Sequence, residues 1–369
     1  MKILAVGAGS MGKRRLRDLC YLAPGQVSLF EPKADRCQQV SRSYGVRGFT
    51  NFDEAMADQP DVITISTPPA LHEQYVEAAL EHNLHVFAEV PFALDLDFMS
   101  KLQGRAKSGY SKVIGISCSS RYYPPFRLVR DLLQSNAVGR VMYIEYSLGN
   151  YLPDWHPYED YRNFYAGDMR LGGAGMDMIL HELNILHWWF GPVATVHARF
   201  SKLSQLEING PDTQDILLEF GSGARGYFHH DIIERGTVGR HLRIVGEEGT
   251  LEWHQNQPTV RLFDAIAGES REIAFNQAAD WSEATAASRE VNELVAKQEG
   301  QSGKIPTSVD TGFAYESCYL REMRHFLDAA EGRTKYSKSS VDEELQTVRT
   351  FHAIVRSSEL EKTCAVEAT

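Results

Sequence analysis

Residues 2–22 restrict the fold more than any other stretch of the chain. Lys2-Ile3-Leu4-Ala5-Val6 is a short apolar run, the pattern of a strand buried on both faces of a parallel sheet. It passes directly into Gly7-Ala8-Gly9-Ser10-Met11-Gly12 and then into a helical stretch to about Leu22. Glycines at GxGxxG spacing between strand and helix allow a tight turn and the close approach of a pyrophosphate to the helix N-terminus. Gly7, Gly9, Ser10, Met11 and Gly12 are therefore candidate cofactor ligands. A second strand over 26–30 ends at Glu31, about 20 residues after the motif, where a carboxylate accepts hydrogen bonds from a ribose diol. Glu31 favours NAD, because it repels the 2′-phosphate of NADP; Lys33 and Arg36 stand close enough to keep NADP open.

The alternation continues. A buried-strand pattern at 61–66 ends in Thr67-Pro68-Pro69, and a helix is expected over 70–82. A strand at 85–88 ends in Glu89-Val90-Pro91, followed by a helix near 95–108 and a strand near 112–117. Strands and helices alternating through short connections predict an α/β, doubly wound parallel sheet with right-handed crossovers. In such a sheet the ligand lies beyond the carboxyl ends of the strands. Thr67, Pro68, His72, Glu89 and Val90 follow strand ends and join the glycines and Glu31 as cofactor-site candidates.

Composition excludes several classes. The net charge is −11, with 38 basic against 49 acidic residues, and Lys13-Arg14-Arg15 with Arg17 is the one basic cluster. That balance argues against a nucleic-acid surface, which needs clustered cations. No apolar run reaches the length of a membrane span, and the first residues lack the pattern of a signal peptide. The five cysteines are scattered and never CxxC, which suits reduced thiols in the cytoplasm.

After Arg121 and Tyr122 the pattern changes. A helix is expected at 124–133 and a longer strand at 140–150, then a loop dense in aromatics: Tyr151, Trp155, His156, Tyr158, Tyr161, Arg162 and Tyr165. Two readings stand for this loop. Its rings can stack on a sugar, with Arg162 for a carboxylate or phosphate, or they can fold over their own cluster. The helix that follows, within 171–191, places Asp177 and His181 four residues apart on one face and stops at Gly191-Pro192. A carboxylate beside an imidazole holds its tautomer and raises its basicity, as a general base requires; a surface ion pair is the plainer reading. From about 194 to 263 short alternating runs read as antiparallel strands. His229 and His230 belong to one of them and lack ligand-spaced companions, so no metal site is expected. Helices are expected near 281–297, 313–330 and 341–358, with a polar connection at 300–304.

Taken together the motifs resemble the Gfo/Idh/MocA family of sugar-related oxidoreductases, which includes glucose–fructose oxidoreductase and inositol dehydrogenase. The similarity runs through the glycine motif, Thr67-Pro68-Pro69 with His72, residues 85–91, 119–126, 172–181 and 246–252, and the last helix with Ser357-Ser358. It implies a Rossmann domain over 1–122 and a substrate-binding α/β domain over 123–369. The second domain would have a large, mostly antiparallel sheet used for homodimer or homotetramer assembly. It further implies NAD(P)-dependent hydride transfer on a sugar or sugar-derived substrate, with His181 as acid/base and Asp177 orienting substrate and imidazole. The family's Glu-Lys-Pro lysine is Val90 here, which removes a cation that would stabilise a developing alkoxide. Three consequences follow from that departure. Hydride transfer persists with His181 alone, helped by Arg121, Tyr122, Tyr161 or Arg162; or NAD is used transiently for epimerisation or elimination; or the chain binds nucleotide and sugar as a non-catalytic regulator. Trp155 completes the expected substrate contacts.

Overall fold

The computed structural model describes residues 1–155, 160–163, 165–236, 239–255, 257–298 and 313–367. His156, Tyr158 and the expected connection at 300–304 lie outside them. In chain order the first elements are β1 (Ile3–Val6), α1 (Ser10–Leu22), β2 (Val27–Phe30), α2 (Ala34–Tyr44), β3 (Arg47–Phe49), α3 (Phe52–Ala57), β4 (Val62–Ile65), α4 (His72–Glu81), β5 (His85–Ala88), α5 (Leu96–Lys107) and β6 (Ile114–Ile116). There follow α6 (Pro124–Gln134), β7 (Val141–Gly149), α7 (Met176–Phe190), β8 (Val193–Ser201), β9 (Thr213–Phe220), β10 (Arg225–Asp231), β11 (Gly239–Gly246), β12 (Gly249–His254), β13 (Thr259–Asp264) and β14 (Glu269–Ala274). The chain ends with α8 (Trp281–Gln298), α9 (Glu316–Ala330), α10 (Val341–Leu360) and β15 (Cys364–Ala365).

Among the described residues two sheets form. The first has the order β3-β2-β1-β4-β5-β6, parallel throughout. β1, β4 and β5 are buried along their whole length, which is why they read as continuous apolar runs. The strand order reverses between β1 and β4, and a crevice for a ligand opens at the carboxyl ends of such a pair. The second sheet has the order β14-β13-β12-β11-β7-β10-β9-β8-β15. It is antiparallel except where β10 runs parallel to β7. The α/β class, with one doubly wound sheet and one large, mostly antiparallel sheet, is what the sequence pattern predicts.

The chain divides into two compact units, Met1–Tyr122 with Glu283–Leu345, and Tyr123–Ser282 with Gln346–Thr369. The described residues of 283–298 and 313–345 therefore group with the Rossmann sheet, although the sequence places them in the second domain. The cause lies in α9. Met323, Phe326 and Leu327 enter the core formed by Ile3, Leu16, Leu29 and Phe87, and the Phe326 and Phe87 rings lie 5.2 Å apart. No helix of the described residues is long and apolar enough to cross a membrane.

Candidate active site

The first unit presents the cofactor candidates. Gly7 has φ +95°, a conformation that favours glycine, and a Cβ there would lie 2.8 Å from the Ser66 carbonyl oxygen. A Cβ on Gly12 would meet the Gly7 oxygen at 2.1 Å, so this residue sets the close packing of α1 on the turn. A Cβ on Gly9 would meet no atom within 4 Å. Turn, open approach and close helix packing are the three roles that the dinucleotide motif assigns to its glycines. α1 begins at Ser10 and Met11 with no side-chain cap and no acidic residue in its first turn, leaving its N–H groups for an anion. Glu31 sits beside the same turn: its carboxylate accepts from the Ala8 N–H at 3.0 Å and the Lys33 N–H at 3.1 Å. Arg36 lies 3.8 Å from it. After β4, the shielded Thr67 hydroxyl has no partner among the described residues, an orphaned polar atom that a bound group would satisfy. These residues fit a dinucleotide.

His72 is placed differently from the expectation that it contacts cofactor. Its ring is enclosed, with Nδ1 2.7 Å from the Pro91 oxygen and Nε2 2.8 Å from the Thr67 oxygen. Burial pushes the imidazole down, toward the neutral form. The ring ties the segment after β4 to the segment after β5, and Pro68 lies inside that brace. Glu89 is held by Arg15, whose Nε and Nη2 donate to its two oxygens at 2.6 and 3.1 Å. Val90 is buried beside it.

The three arginines of the basic cluster of α1 are consumed internally. Arg14 and Arg17 donate to Glu316 at 2.8 and 2.9 Å, and Arg15 reaches Glu322 at 2.5 Å. Arg121 and Tyr122 are likewise committed inside the first unit. Arg121 donates to the Lys338 carbonyl at 2.5 Å and to Glu343 at 3.0 Å. The Tyr122 hydroxyl lies 2.9 Å from His325 Nδ1.

In the second unit, α7 carries Asp177 and His181. Gly175 caps the helix with φ +80°, and Gly191 ends it with φ +82°. Asp177 is buried, which drives its carboxyl above the usual range, while the His181 imidazole and a hydrogen bond from Tyr165 act the other way. The Tyr165 hydroxyl donates to Asp177 Oδ2 at 2.9 Å. His181 is half-buried and exerts a charge effect on Asp177 and on Glu182, its neighbour in sequence. Glu182 is fully enclosed; burial opposes its ionisation, but Arg240 at 2.6 Å and the Tyr146 hydroxyl hold its carboxyl below the usual range. Beneath the helix start, a Cβ on Gly175 would lie 2.7 Å from His230 Cε1. His230 Nδ1 meets Gln214 Oε1 at 2.6 Å, and burial pushes this imidazole down to about 4.

Trp155, Tyr161 and Tyr165 pack against Leu152, Ala166 and Ile232 together with Leu206 and Ile208. These described rings of the loop thus cover a small apolar cluster of their own. Arg162 is exposed and pairs with Asp160 at 3.2 Å and Glu207 at 3.1 Å, while the Tyr161 hydroxyl accepts from the Glu207 N–H. Glu322 and Gln214 carried no signal in the sequence; Tyr165 stood in the aromatic run, Arg15 in the basic cluster and His230 in an expected strand, none of them with the contact it makes here. No group of three or more metal-ligating side chains occurs among the described residues.

Comparisons with known proteins bear on the family and the fold. The family described as "Oxidoreductase family, NAD-binding Rossmann fold" matches residues 1–114, and the one described as "GFO/IDH/MocA C-terminal domain" matches 126–252. The uncharacterized oxidoreductase YrbE of Bacillus subtilis is 24% identical over 69% of this chain and 74% of its own length. Inositol 2-dehydrogenase of Acidothermus cellulolyticus is 24% identical over 73% of this chain and 77% of its own. A levoglucosan dehydrogenase solved with NADH and levoglucosan superposes with a TM-score of 0.79 at 19% identity, covering all of both chains. With both matched regions covering well over half of its length, the chain belongs to the GFO/IDH/MocA family of NAD-binding oxidoreductases.

Proposed function

We propose that this protein is an NAD-dependent dehydrogenase or reductase acting at a secondary alcohol or the matching carbonyl of a sugar or sugar-derived substrate. The observation that carries the reading is the Asp177–His181 pair on α7, with Asp177 buried and held by Tyr165. The relatives named inositol 2-dehydrogenase and levoglucosan dehydrogenase act on polyhydroxylated rings, and that substrate class is carried over here.

Bound nicotinamide supplies the hydride acceptor or donor. The chain's own part is proton management. His181 takes the hydroxyl proton during oxidation or gives one to the carbonyl oxygen during reduction, and Asp177 fixes the imidazole and a neighbouring substrate hydroxyl. Arg121, Tyr122, Tyr161 and Arg162 each have protein partners. His181, beside the buried Asp177, is the principal proton-transfer group, and Val90 contributes shape without charge. Glu31 selects the ribose diol of NAD. The outer face of the second sheet, with Tyr143, Leu217 and Phe263 exposed among charged residues, serves self-association as a dimer or tetramer.

The test follows absorbance of reduced cofactor while the protein is mixed with NAD(H) and a panel of polyols, sugars, sugar acids and anhydrosugars. Turnover that His181→Ala leaves unchanged would refute the proposed role. Tight binding of cofactor and sugar without redox change in either direction would favour a regulatory binder, the outcome that the missing lysine at Val90 makes worth including.

A further inference from the structure

α7 begins on a turn that its own backbone disfavours. Gly172, Ala174 and Gly175, just before the helix, have positive φ, at 87°, 56° and 80°. Ala174 carries a Cβ, so its left-handed conformation is strained and persists only where the surroundings hold it. They hold it from three directions. The Ala174 N–H donates to the Ala166 carbonyl at 2.7 Å, next to Tyr165 in the chain. A Cβ on Gly210 would meet the Ala174 methyl at 2.7 Å. From below comes the His230 ring, whose Cε1 and Nδ1 lie 2.7 and 3.1 Å from where a Gly175 Cβ would stand.

His230 is fully enclosed, and its ring has a set orientation. The register of β10 against β9 puts it opposite Gln214, where Nδ1 donates to Gln214 Oε1 at 2.6 Å. Burial keeps the imidazole neutral, against the pull of Glu182 and Asp231. Its Nε2 and the Gln214 Nε2 are shielded and have no hydrogen-bond partner among the described residues. An apolar side chain would fill this space without the cost of an unpaired nitrogen. What the imidazole adds is a ring locked by its own hydrogen bond and pressed against the residue that caps α7.

Two residues beyond that cap, burial raises the Asp177 carboxyl, while His181 and the hydrogen bond from Tyr165 oppose the rise. We propose that His230, oriented by Gln214, is a positioning residue: it seats the first turn of α7 so that the Asp177 carboxylate stays on the Tyr165 hydroxyl. The proposal rests on the reading of Asp177 and His181 as the proton-handling pair, and it adds a residue of the sheet to that pair's support.

His230→Asn keeps an N–H near the position of Nδ1 for Gln214 and removes the part of the ring beneath Gly175. Gln214→Met, which frees the ring instead of shortening it, takes its place if circular dichroism shows that His230→Asn does not fold. Kinetics of the wild type, His230→Asn, Tyr165→Phe and the double variant form a cycle. His230→Asn is expected to lower kcat/KM about tenfold, as for a hydrogen bond lost from a charged group. The acid limb of its profile moves to higher pH, as in Tyr165→Phe, and Kd for NAD+ stays unchanged. The double variant loses little more than the worse single one, because both act through the same bond to Asp177. Losses that multiply, or an acid limb that stays in place, overturn the inference and leave the dehydrogenase reading standing. A crystal structure of His230→Asn answers without turnover: a first turn of α7 that keeps its place against Tyr165 overturns the inference. A wild type that turns over no substrate sinks the dehydrogenase reading, and the crystal structure then still decides whether His230 seats the turn.

Discussion

The phenolic hydroxyl of Tyr165 donates to Oδ2 of Asp177 across 2.9 Å, joining the aromatic loop to the first turn of α7. This bond favours the ionised carboxyl against the burial that opposes it. Tyr165→Phe removes it, so the Asp177 pKa rises further. Where ionised Asp177 orients His181, the acid limb of the kcat/KM profile moves to higher pH. At neutral pH kcat/KM falls about 10- to 100-fold, the range for a lost hydrogen bond to a charged group. Profiles of the two proteins that coincide would remove Tyr165 from the site.

Gly9 and Gly12 are expected to fail in opposite ways. Gly9→Val leaves the thermal midpoint nearly unchanged, because its Cβ enters open space, but abolishes NAD binding by filling the room a pyrophosphate needs. Gly12→Ala sets a methyl 2.1 Å from the Gly7 carbonyl oxygen and lowers the midpoint itself. Thermal melts with and without NAD separate the two outcomes.

His229 gives the second unit a pH dependence. Its hydrogen bond to Asp231, and then Asp215, raises the imidazole to about 9 against burial. The raised value means that the stabilisation is complete below the unfolded value of 6.5 and is lost as pH rises through about 9. With the side chain 30% exposed, screening limits the effect to about 1 kcal/mol. Urea midpoints measured from pH 6 to 10 should decline in the wild type, and His229→Gln should flatten that decline.

Arg240→Met leaves the enclosed Glu182 carboxylate with the Tyr146 hydroxyl and without its guanidinium partner. Loss of one partner from a buried pair costs about 3–5 kcal/mol. Urea unfolding followed by tryptophan fluorescence would measure it, and a loss under about 1 kcal/mol would mean that Glu182 takes up a proton instead.

Local patterns made the Rossmann unit legible. β1, the glycine turn and Glu31 are set by neighbours within about 30 residues, so the apolar run and the spacing suffice. β3 escaped because it has three residues, two of them exposed, and exists by its register with β2. α9 was read as a helix but assigned to the wrong unit: nothing along 316–330 states which sheet its apolar face will meet. Arg15 was visible as part of a basic cluster, yet its partner Glu322 is 307 residues away. The alternation at 225–232 gave a strand; only its register against β9 sets Gln214 opposite His230. The aromatic loop kept two readings open because rings that stack on a sugar and rings that cover Leu152, Ala166 and Ile232 have the same composition.

The parallel pairing of β7 with β10 has a consequence for synthesis. β7 occupies the middle of its sheet, yet both of its neighbours, β10 and β11, lie more than 75 residues downstream. During translation this strand therefore emerges with both edges bare and stays so while three further elements, α7, β8 and β9, leave the ribosome. Contacts so distant along the chain form slowly. The nascent second unit is the part of this protein most in need of a chaperone.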